Sequence, residues 1–404
     1  MKKFLYFIII LLGFSCSSER VNQTVNEKRQ GKWDFYDESE FANCKGWYKN
    51  DEKDGEWKCY YFNEQLKSIS NYTEGLLNGD YSEFYAGGRL KQVGSYKNHE
   101  KDGEWITYYQ NRYEHFIENF KNDLKQGYFR ENNEKGNAIV EGNYDQDEKQ
   151  GLWKTYYENK NLSSKGDYLL GRRNGLWKFY YTNGNEKFVG NMKKGKQVGI
   201  WKTYYKSGEL KGTATYKNGG LNGVYNTYHK NGQLEETGNY FNGEQEGEWL
   251  FYDYKGTIVK NITYVNGKEE GEVISHINGN VLSKGVYRYG QKQGFWEQYF
   301  ANGNLRSKGN YINGVENGFW EYHSESGYPD QKGNFIEGRR VGRWTYYYNS
   351  KKIKSVGDYK NGYRDGAWTT YYYKGNIKRK EVFKYGRRIS LIEYYPDGKV
   401  RKNS

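Results

Sequence analysis

The sequence predicts an all-β protein, an elongated single-layer antiparallel β-meander built from about fifteen hairpin repeats of 24 residues. An anchor glycine recurs every 24 residues, except that the step from Gly271 to Gly294 is 23. Each anchor is followed by two runs rich in Trp, Tyr, Thr and Phe, which Asn-Gly or Ser-Gly pairs separate, a hairpin signal. Only two prolines interrupt 404 residues, which suits strands whose amides nearly all donate. The anchors are Gly31, Gly55, Gly79, Gly103, Gly127, Gly151, Gly175, Gly199, Gly223, Gly247, Gly271, Gly294, Gly318, Gly342 and Gly366.

Residues 1–16 are predicted to form a lipoprotein-type signal peptide. An apolar run from Phe4 to Phe14 follows a basic start, and it is too short to span a bilayer. Cys16 closes the run and is the predicted lipidation site, although Gly13 stands where such signals usually carry leucine. Simple secretion and a retained membrane anchor are the alternatives. We therefore expect an exported protein of the cell envelope, an outer-membrane or periplasmic lipoprotein held to the membrane through its lipid anchor.

The rest of the chain divides into a polar tether at 17–30, the repeat array at 31–386 and a partial C-terminal capping repeat at 387–404. Eleven of the twelve tryptophans lie two residues after an anchor, which gives tryptophan a structural role. A register centred on the hairpin turn pairs Trp296 with Gly309, so that the indole covers a bare strand glycine. The predicted structural anchors are Trp57, Trp105, Trp153, Trp177, Trp201, Trp249, Trp296, Trp320, Trp344 and Trp368.

The same register divides the side chains between two faces. It pairs Tyr205 with Leu210 and places Gly, Trp, Tyr and Leu of each copy on one face. The other face is predicted to be polar, with the first tyrosine of each Tyr-Tyr pair as an exposed ring. These tyrosines form the candidate binding face: Tyr156, Tyr180, Tyr204, Tyr228, Tyr252, Tyr299, Tyr347 and Tyr371.

The repeated pattern Gly-x-Trp-x-x-Tyr-Tyr-x-x-Gly-x-Leu-x-x-x-Gly-x-Tyr-x-x-Gly resembles the bacterial variant of the MORN repeat, a family that includes YwqK-like antitoxins. The resemblance spans roughly residues 31 to 386. It implies an antiparallel β-meander with a scaffold or binding role, and protein or phospholipid partners. It implies no catalytic residues, so none are assigned.

Few residues carry the chemistry of an enzyme. The five histidines are scattered, three of them at tyrosine positions, which predicts aromatic substitution and no metal site. No cofactor motif occurs, and we expect neither enzyme activity nor a cofactor. Cys44 and Cys59 fall on neighbouring strands as diagonal neighbours about 7–8 Å apart, so a disulfide needs local adjustment, and both states stay open. The copies from Gly127, Gly271 and Gly318 are irregular and represent either drift or docking points.

The sequence thus favours a non-enzymatic, envelope-anchored repeat scaffold that mediates protein–protein interaction. One alternative is binding of an envelope glycan, an anionic polymer or an anionic lipid through faces rich in tyrosine and lysine, because the net charge is +13. Lysines that only keep the faces soluble explain the same charge. A second alternative is an antitoxin or immunity role, which rests on the family resemblance. Nucleic acid is not expected, since the chain carries an export signal and no recognised nucleic-acid module.

Overall fold

The computed structural model describes residues 21–401. Cys16 and the predicted signal peptide lie outside these residues. The chain divides into two compact units, the first ending at Gly184 and the second beginning at Asn185. Every regular element described is a β-strand, and within each unit neighbouring strands of the sheet pair antiparallel. The predicted all-β antiparallel meander is therefore confirmed.

The first unit contains fifteen strands. Each pairs with the next in chain order, except that β9, which follows the two-residue β8, pairs with β7 and β10. The strands are β1 (Gln23–Val25), β2 (Lys28–Asp37), β3 (Ala42–Lys49), β4 (Glu52–Tyr60), β5 (Leu66–Thr73), β6 (Leu76–Phe84), β7 (Leu90–Lys97), β8 (Glu100–Lys101), β9 (Gly103–Tyr108), β10 (Glu114–Lys121), β11 (Leu124–Asn132), β12 (Ala138–Asp145), β13 (Glu148–Tyr156), β14 (Leu162–Leu169) and β15 (Arg172–Tyr180).

The second unit contains eighteen strands, each paired with the next. They are β16 (Glu186–Lys193), β17 (Lys196–Tyr204), β18 (Leu210–Lys217), β19 (Gly220–Tyr228), β20 (Leu234–Phe241), β21 (Glu244–Tyr252), β22 (Ile258–Val265), β23 (Lys268–Ile277), β24 (Asn280–Arg288), β25 (Gln291–Tyr299), β26 (Leu305–Ile312), β27 (Val315–His323), β28 (Pro329–Ile336), β29 (Arg339–Tyr347), β30 (Ile353–Lys360), β31 (Tyr363–Tyr371), β32 (Ile377–Lys384) and β33 (Arg387–Glu393).

The sheet of the first unit begins inside the segment that the sequence assigns to the tether. Strand β1 and the start of β2 fall within residues 17–30 and pair with each other. Asn22 then stands where most later copies have a strand glycine. Its side-chain amide donates to the carbonyl of Asp34 at 3.0 Å and accepts from the Asp34 amide at 2.9 Å. The Asn22 side chain thus satisfies the backbone N–H and C=O of Asp34, which would otherwise lack strand partners at the edge of β2.

The hairpin turn inside each copy has one residue more than a symmetric register allows. Gly208 adopts a φ of +112° and closes a turn on Tyr205, whose own amide donates to the Glu209 carbonyl. A turn followed by a glycine of positive φ is a common hairpin with a bulge. Leu210 consequently pairs with Tyr204, and the predicted pairing of Leu210 with Tyr205 is wrong.

The indole rings cover strand glycines, but those of the preceding copy. The predicted backbone pairing of Trp296 with Gly309 is confirmed. The ring that lies on Gly309, however, is Trp320, where an added Cβ would approach Cδ2 to 2.3 Å. The same contact recurs in ten pairs of glycine and tryptophan: Gly46–Trp57, Gly94–Trp105, Gly142–Trp153, Gly166–Trp177, Gly190–Trp201, Gly238–Trp249, Gly285–Trp296, Gly309–Trp320, Gly333–Trp344 and Gly357–Trp368.

After Asn22, which precedes Trp33, every replacement of the strand glycine is accompanied by a replacement of the following tryptophan. Five such exceptions occur: Ser70 before Tyr81, Glu118 before Phe129, Ala214 before Tyr225, Ile262 before Val273, and Glu381 before Leu391. From Gly46 onward, a bare glycine is thus present when an indole lies on the strand, and a side chain is present when the residue that follows is smaller than tryptophan. Close packing explains the relation, because the two positions share one volume.

Candidate functional site

The face that carries the indoles, here called the tryptophan face, is occupied by its own packing. The ten tryptophans that cover a strand glycine are 0–3% exposed. Each of their indole N–H groups donates to the carbonyl ten residues earlier, at 3.0–3.3 Å. This places all ten predicted structural anchors in the core of the copies. The face offers few free polar groups to a partner.

Basic side chains two residues before an anchor also belong to this packing. The Nζ of Lys149 lies 4.0 Å from the Trp153 ring, and the guanidinium of Arg340 lies 4.5 Å from the Trp344 ring. Such cation–π contacts contribute about 0.5–2 kcal/mol. Part of the basic charge is therefore structural, an explanation that the sequence interpretation did not include.

The second tyrosine of each pair links one copy to the next. The hydroxyl of Tyr157 donates to the Tyr180 carbonyl at 2.7 Å, and Tyr205 makes the same bond to Tyr228 at 2.8 Å. At this position in another copy, His229 Nε2 lies 3.0 Å from the Tyr252 carbonyl. A histidine here keeps the link between copies, as aromatic substitution requires.

The first tyrosines, the predicted binding face, lie on the face opposite the tryptophans, one in each copy. All eight are half-buried, because each lies at a strand end beside the leucine position. Some hydroxyls are engaged: Tyr156 donates to Glu141 at 2.7 Å and Tyr299 to Glu297 at 3.1 Å. Burial and the bond to Glu141 raise the pKa of Tyr156 to about 12. These rings are therefore not the freely exposed row that the sequence suggested.

The opposite face carries exposed apolar side chains that the sequence interpretation missed. They occupy the position directly after the anchor, where the chain alternates out of the tryptophan face. Leu152 and Leu176 are nearly half exposed in the first unit. In the second unit Ile200 is 61% exposed, and Val224, Phe295 and Phe319 are about half exposed. Strict alternation from the anchor glycine could have identified them.

A second missed surface is the row of turns that join one copy to the next in the second unit. With one flanking residue on each side, its nine turns hold ten basic residues and two acidic ones, Glu244 and Glu337. Exposed apolar side chains, among them Phe241, Tyr289 and Tyr363, alternate with the basic ones. The basic residues are Lys193, Lys194, Lys196, Lys217, Lys268, Arg288, Arg339, Lys360, Lys384 and Arg387. We call this row the basic turn edge.

The net charge is concentrated in the second unit. Residues 185–401 hold 35 Lys and Arg against 22 Asp and Glu, which equals the +13 of the whole sequence. The six equivalent turns of the first unit hold four basic and eight acidic residues. General solubility would not require such segregation, so the charge pattern indicates a surface of the second unit that attracts anions.

Cys44 and Cys59 form a disulfide, with an Sγ–Sγ distance of 2.07 Å and both side chains buried. They are direct cross-strand partners and not diagonal neighbours. Two additional residues on β4 near Gly55, whose φ is +70°, shift the pairing of β3 with β4 and bring the cysteines opposite each other.

Residues 21–401 contain no group of three or more His, Cys, Asp or Glu side chains arranged to hold a metal ion. Within the same part of the chain, no helix has the length and apolar character needed to cross a membrane. Residues of the opposite face line shallow grooves in the second unit. One, of about 330 Å³, lies beside Ile274 and Phe295, and the other, of about 400 Å³, lies beside His323 and Tyr347.

Nine of the copies match the MORN repeat variant, and these matches cover just under half of the chain. Repeats of this family are in general protein- or membrane-interaction repeats, and repeat folds of this kind are typically non-catalytic. The matched segments are 53–74, 77–98, 149–169, 173–194, 197–218, 221–242, 292–313, 340–361 and 364–385. No curated protein matches the chain significantly.

Solved structures with some likeness include a crystal structure of TcdB2-TccC3-Cdc42. It is 12% identical with a TM-score of 0.16, over 92% of this chain and 21% of that one. A mutant Tc holotoxin pore from Photorhabdus luminescens is 10% identical with a TM-score of 0.16, over 86% and 24%. This chain therefore spans about a fifth to a quarter of those chains. At such TM-scores the likeness supports no conclusion about fold or function.

Proposed function

We propose that this chain is a non-enzymatic repeat scaffold of the cell envelope that binds a protein partner on the face opposite the tryptophans. The supporting observation is the series of exposed apolar side chains after successive anchors, such as Ile200 and Val224 in adjoining copies. In adjoining copies these positions lie about 10 Å apart, two strand widths. Many weak contacts at this spacing give affinity through multivalency.

Replacement of the apolar series tests this proposal in the full-length protein. The variant carries Ile200→Ser and Val224→Ser together with Phe295→Ser and Phe319→Ser. A matched control carries Tyr254→Ser, since Tyr254 is 65% exposed but lies at a hairpin turn. In a crosslinking pull-down from native cells, we expect the parent and the control to recover the same envelope protein and the fourfold variant to lose it. Equal recovery by all three would reject this face as the docking surface.

Envelope location is part of the same proposal and rests on the signal-like N terminus. A buried disulfide between Cys44 and Cys59 suits an oxidising compartment outside the cytosol. Cys16→Ala tests the lipid anchor: it should abolish labelling by a metabolic fatty acid and release the protein from membranes. Labelling that persists in the variant would show that Cys16 is not the acylated residue.

Binding to an anionic surface is the second candidate, and the basic turn edge favours it. Lysine and arginine beside exposed apolar rings suit the headgroup region of an anionic bilayer, where each basic residue contributes about 1 kcal/mol. Charge reversal at Lys193, Lys194 and Lys196 should reduce flotation with vesicles that contain phosphatidylglycerol but not with neutral vesicles. Reversal of Lys230, Lys255 and Lys374 at the hairpin turns of the same unit is the control. An equal effect of both triplets would indicate net charge alone.

The antitoxin or immunity role stays a hypothesis from resemblance, since no contact described above favours it. Glycan binding along the whole tyrosine series loses support, because those rings are half-buried and Tyr156 and Tyr299 are bonded to carboxylates.

A further inference from the structure

One irregular copy of the second unit lines a groove on the face opposite the tryptophans. The copy from Gly318 keeps the usual spacing and the usual turn, since the Gly327 amide donates to the Ser324 carbonyl at 2.9 Å. Its difference lies in two residues that pair across the hairpin end, His323 and Pro329. Regular copies have tyrosine and leucine there, as in the pair Tyr299 and Leu305. The smaller ring and the short proline leave a groove of about 400 Å³.

His323, which lines the groove, carries a polar atom that has no partner. His323 Nδ1 is buried, and it makes no hydrogen bond to any described residue. Such a group destabilises the fold unless a partner satisfies it, and His276 Nδ1, at the same position of the copy from Gly271, is likewise buried without a hydrogen bond to any described residue. A hydroxyl group fits either tautomer of the imidazole, because a hydroxyl both donates and accepts.

The groove is also cationic, with an apolar floor. Glu321 is neutralised by Lys308 at 2.9 Å. Lys332 and Lys351 line the groove, and neither forms an ion pair within residues 21–401. The Tyr347 ring lies 5.9 Å from the Lys332 ammonium and lines the groove together with Pro329. The site therefore combines two unpaired cations, an aromatic ring and one unsatisfied imidazole nitrogen.

We propose that this groove binds a carboxylated sugar unit of an acidic polysaccharide. The carboxylate would lie between Lys332 and Lys351, the C–H face of the sugar ring against Tyr347, and a sugar hydroxyl beside His323, whose imidazole would turn to present Nδ1 to it. An inorganic anion lacks the apolar face, and an acidic peptide side chain lacks the ring and its hydroxyls. The proposal goes beyond the protein-docking role and does not depend on it.

Three probes separate the contributions of charge and ring. Calorimetric titration of the full-length protein uses oligogalacturonate, its methyl ester, which keeps the ring without the charge, and oligoglutamate, which keeps the charge without the ring. We expect oligogalacturonate to bind and each of the other two to bind at least tenfold more weakly. Oligoglutamate that binds as well would overturn the sugar in favour of an acidic protein segment. Absence of binding by oligogalacturonate at millimolar concentration would overturn the site.

A double substitution, His323→Tyr with Pro329→Leu, restores the residues of regular copies and fills the groove. It should abolish binding of oligogalacturonate while the thermal unfolding midpoint does not fall, since other copies already accommodate this pair. The control is His276→Tyr, a histidine at the same position of the copy from Gly271, which should leave binding unchanged. Retained binding in the double variant would place the ligand elsewhere and overturn the assignment.

Discussion

Gly333→Ala tests whether strand glycines exist to seat the indole of the next copy. An added Cβ would lie 2.3 Å from Trp344 Cδ2, so the ring must move by about an ångström. That movement strains its hydrogen bond to the Asn334 carbonyl, 3.1 Å long, and the Arg340 contact above the ring. Overpacking destabilises by about 1–3 kcal/mol, and a weakened buried hydrogen bond by about 1 kcal/mol. Removal of a glycine from a strand stabilises by about 0.5–1 kcal/mol. We expect a net loss of about 2–3 kcal/mol.

The double variant Gly333→Ala with Trp344→Tyr is the sharper test. The chain already contains this combination as Ala214 with Tyr225. Trp344→Tyr alone leaves the glycine uncovered, whereas the double variant refills the shared volume. The double variant should therefore be more stable than the sum of the two losses predicts, by about 1–3 kcal/mol, the range typical of residues in contact.

Native-state hydrogen exchange at the amides of β28 and β29 is the suitable assay, because a repeat array does not unfold as a single two-state unit. Gly220→Ala is the control, since its new Cβ would have its nearest neighbour at 3.9 Å and should change the local opening free energy little. Losses at positions 333 and 344 that add within about 0.5 kcal/mol would refute the shared-volume explanation. So would a Gly333→Ala variant as stable as the control.

Three further predictions concern other contacts. Cys44→Ser should leave one thiol, that of Cys59, open to alkylation as read by intact mass, and should destabilise the first unit by about 2–4 kcal/mol; alkylation of Cys44 or Cys59 in the unreduced parent would contradict the bridge. Tyr157→Phe should lower the free energy of local opening in β13–β15 by about 0.5–1.5 kcal/mol and so accelerate amide exchange there. Tyr113→Phe, at an exposed tyrosine, should leave that exchange unchanged. Because the folded pKa of Tyr156 is about 12, above an unfolded value of about 10, its stabilisation is complete below pH 10 and lost from there to about pH 12; Tyr156→Phe should flatten that loss in an alkaline titration followed by circular dichroism.

The strands and their order within the copy could be predicted because their signals are local. Aromatic runs, Asn-Gly turns and a constant spacing specify hairpins, and the pairing of Trp296 with Gly309 followed from the turn centre. The bulges could not be predicted from these signals. A glycine is compatible with an extended strand and with a φ near +70°, so the sequence alone does not tell whether Gly55 bends β4. The pairing of Cys44 with Cys59 depends on that bend.

The candidate site could be predicted only in part, for a different reason. That the first tyrosines share one face follows from alternation, but their burial depends on contacts with neighbouring copies that no single repeat contains. The exposed residues after the anchors and the basic turn edge were legible in the sequence, since both occupy fixed positions of the 24-residue period. A repeat pattern emphasises the residues that recur in every copy, whereas the residues of these two surfaces vary from copy to copy.

The pairing of strand glycines with the next tryptophan also determines which whole repeats the chain can lose. Excision of residues 151–174 would bring Gly142 against Trp177, so the new junction would again join a bare glycine to an indole. Excision of residues 199–222 would bring Gly190 against Tyr225 and leave a gap at the junction. The interchangeable module therefore runs from one strand glycine to just before the next. Repeats can be exchanged only where the new junction keeps a matched pair of strand-glycine position and following ring, which a period counted from the anchor glycine does not show.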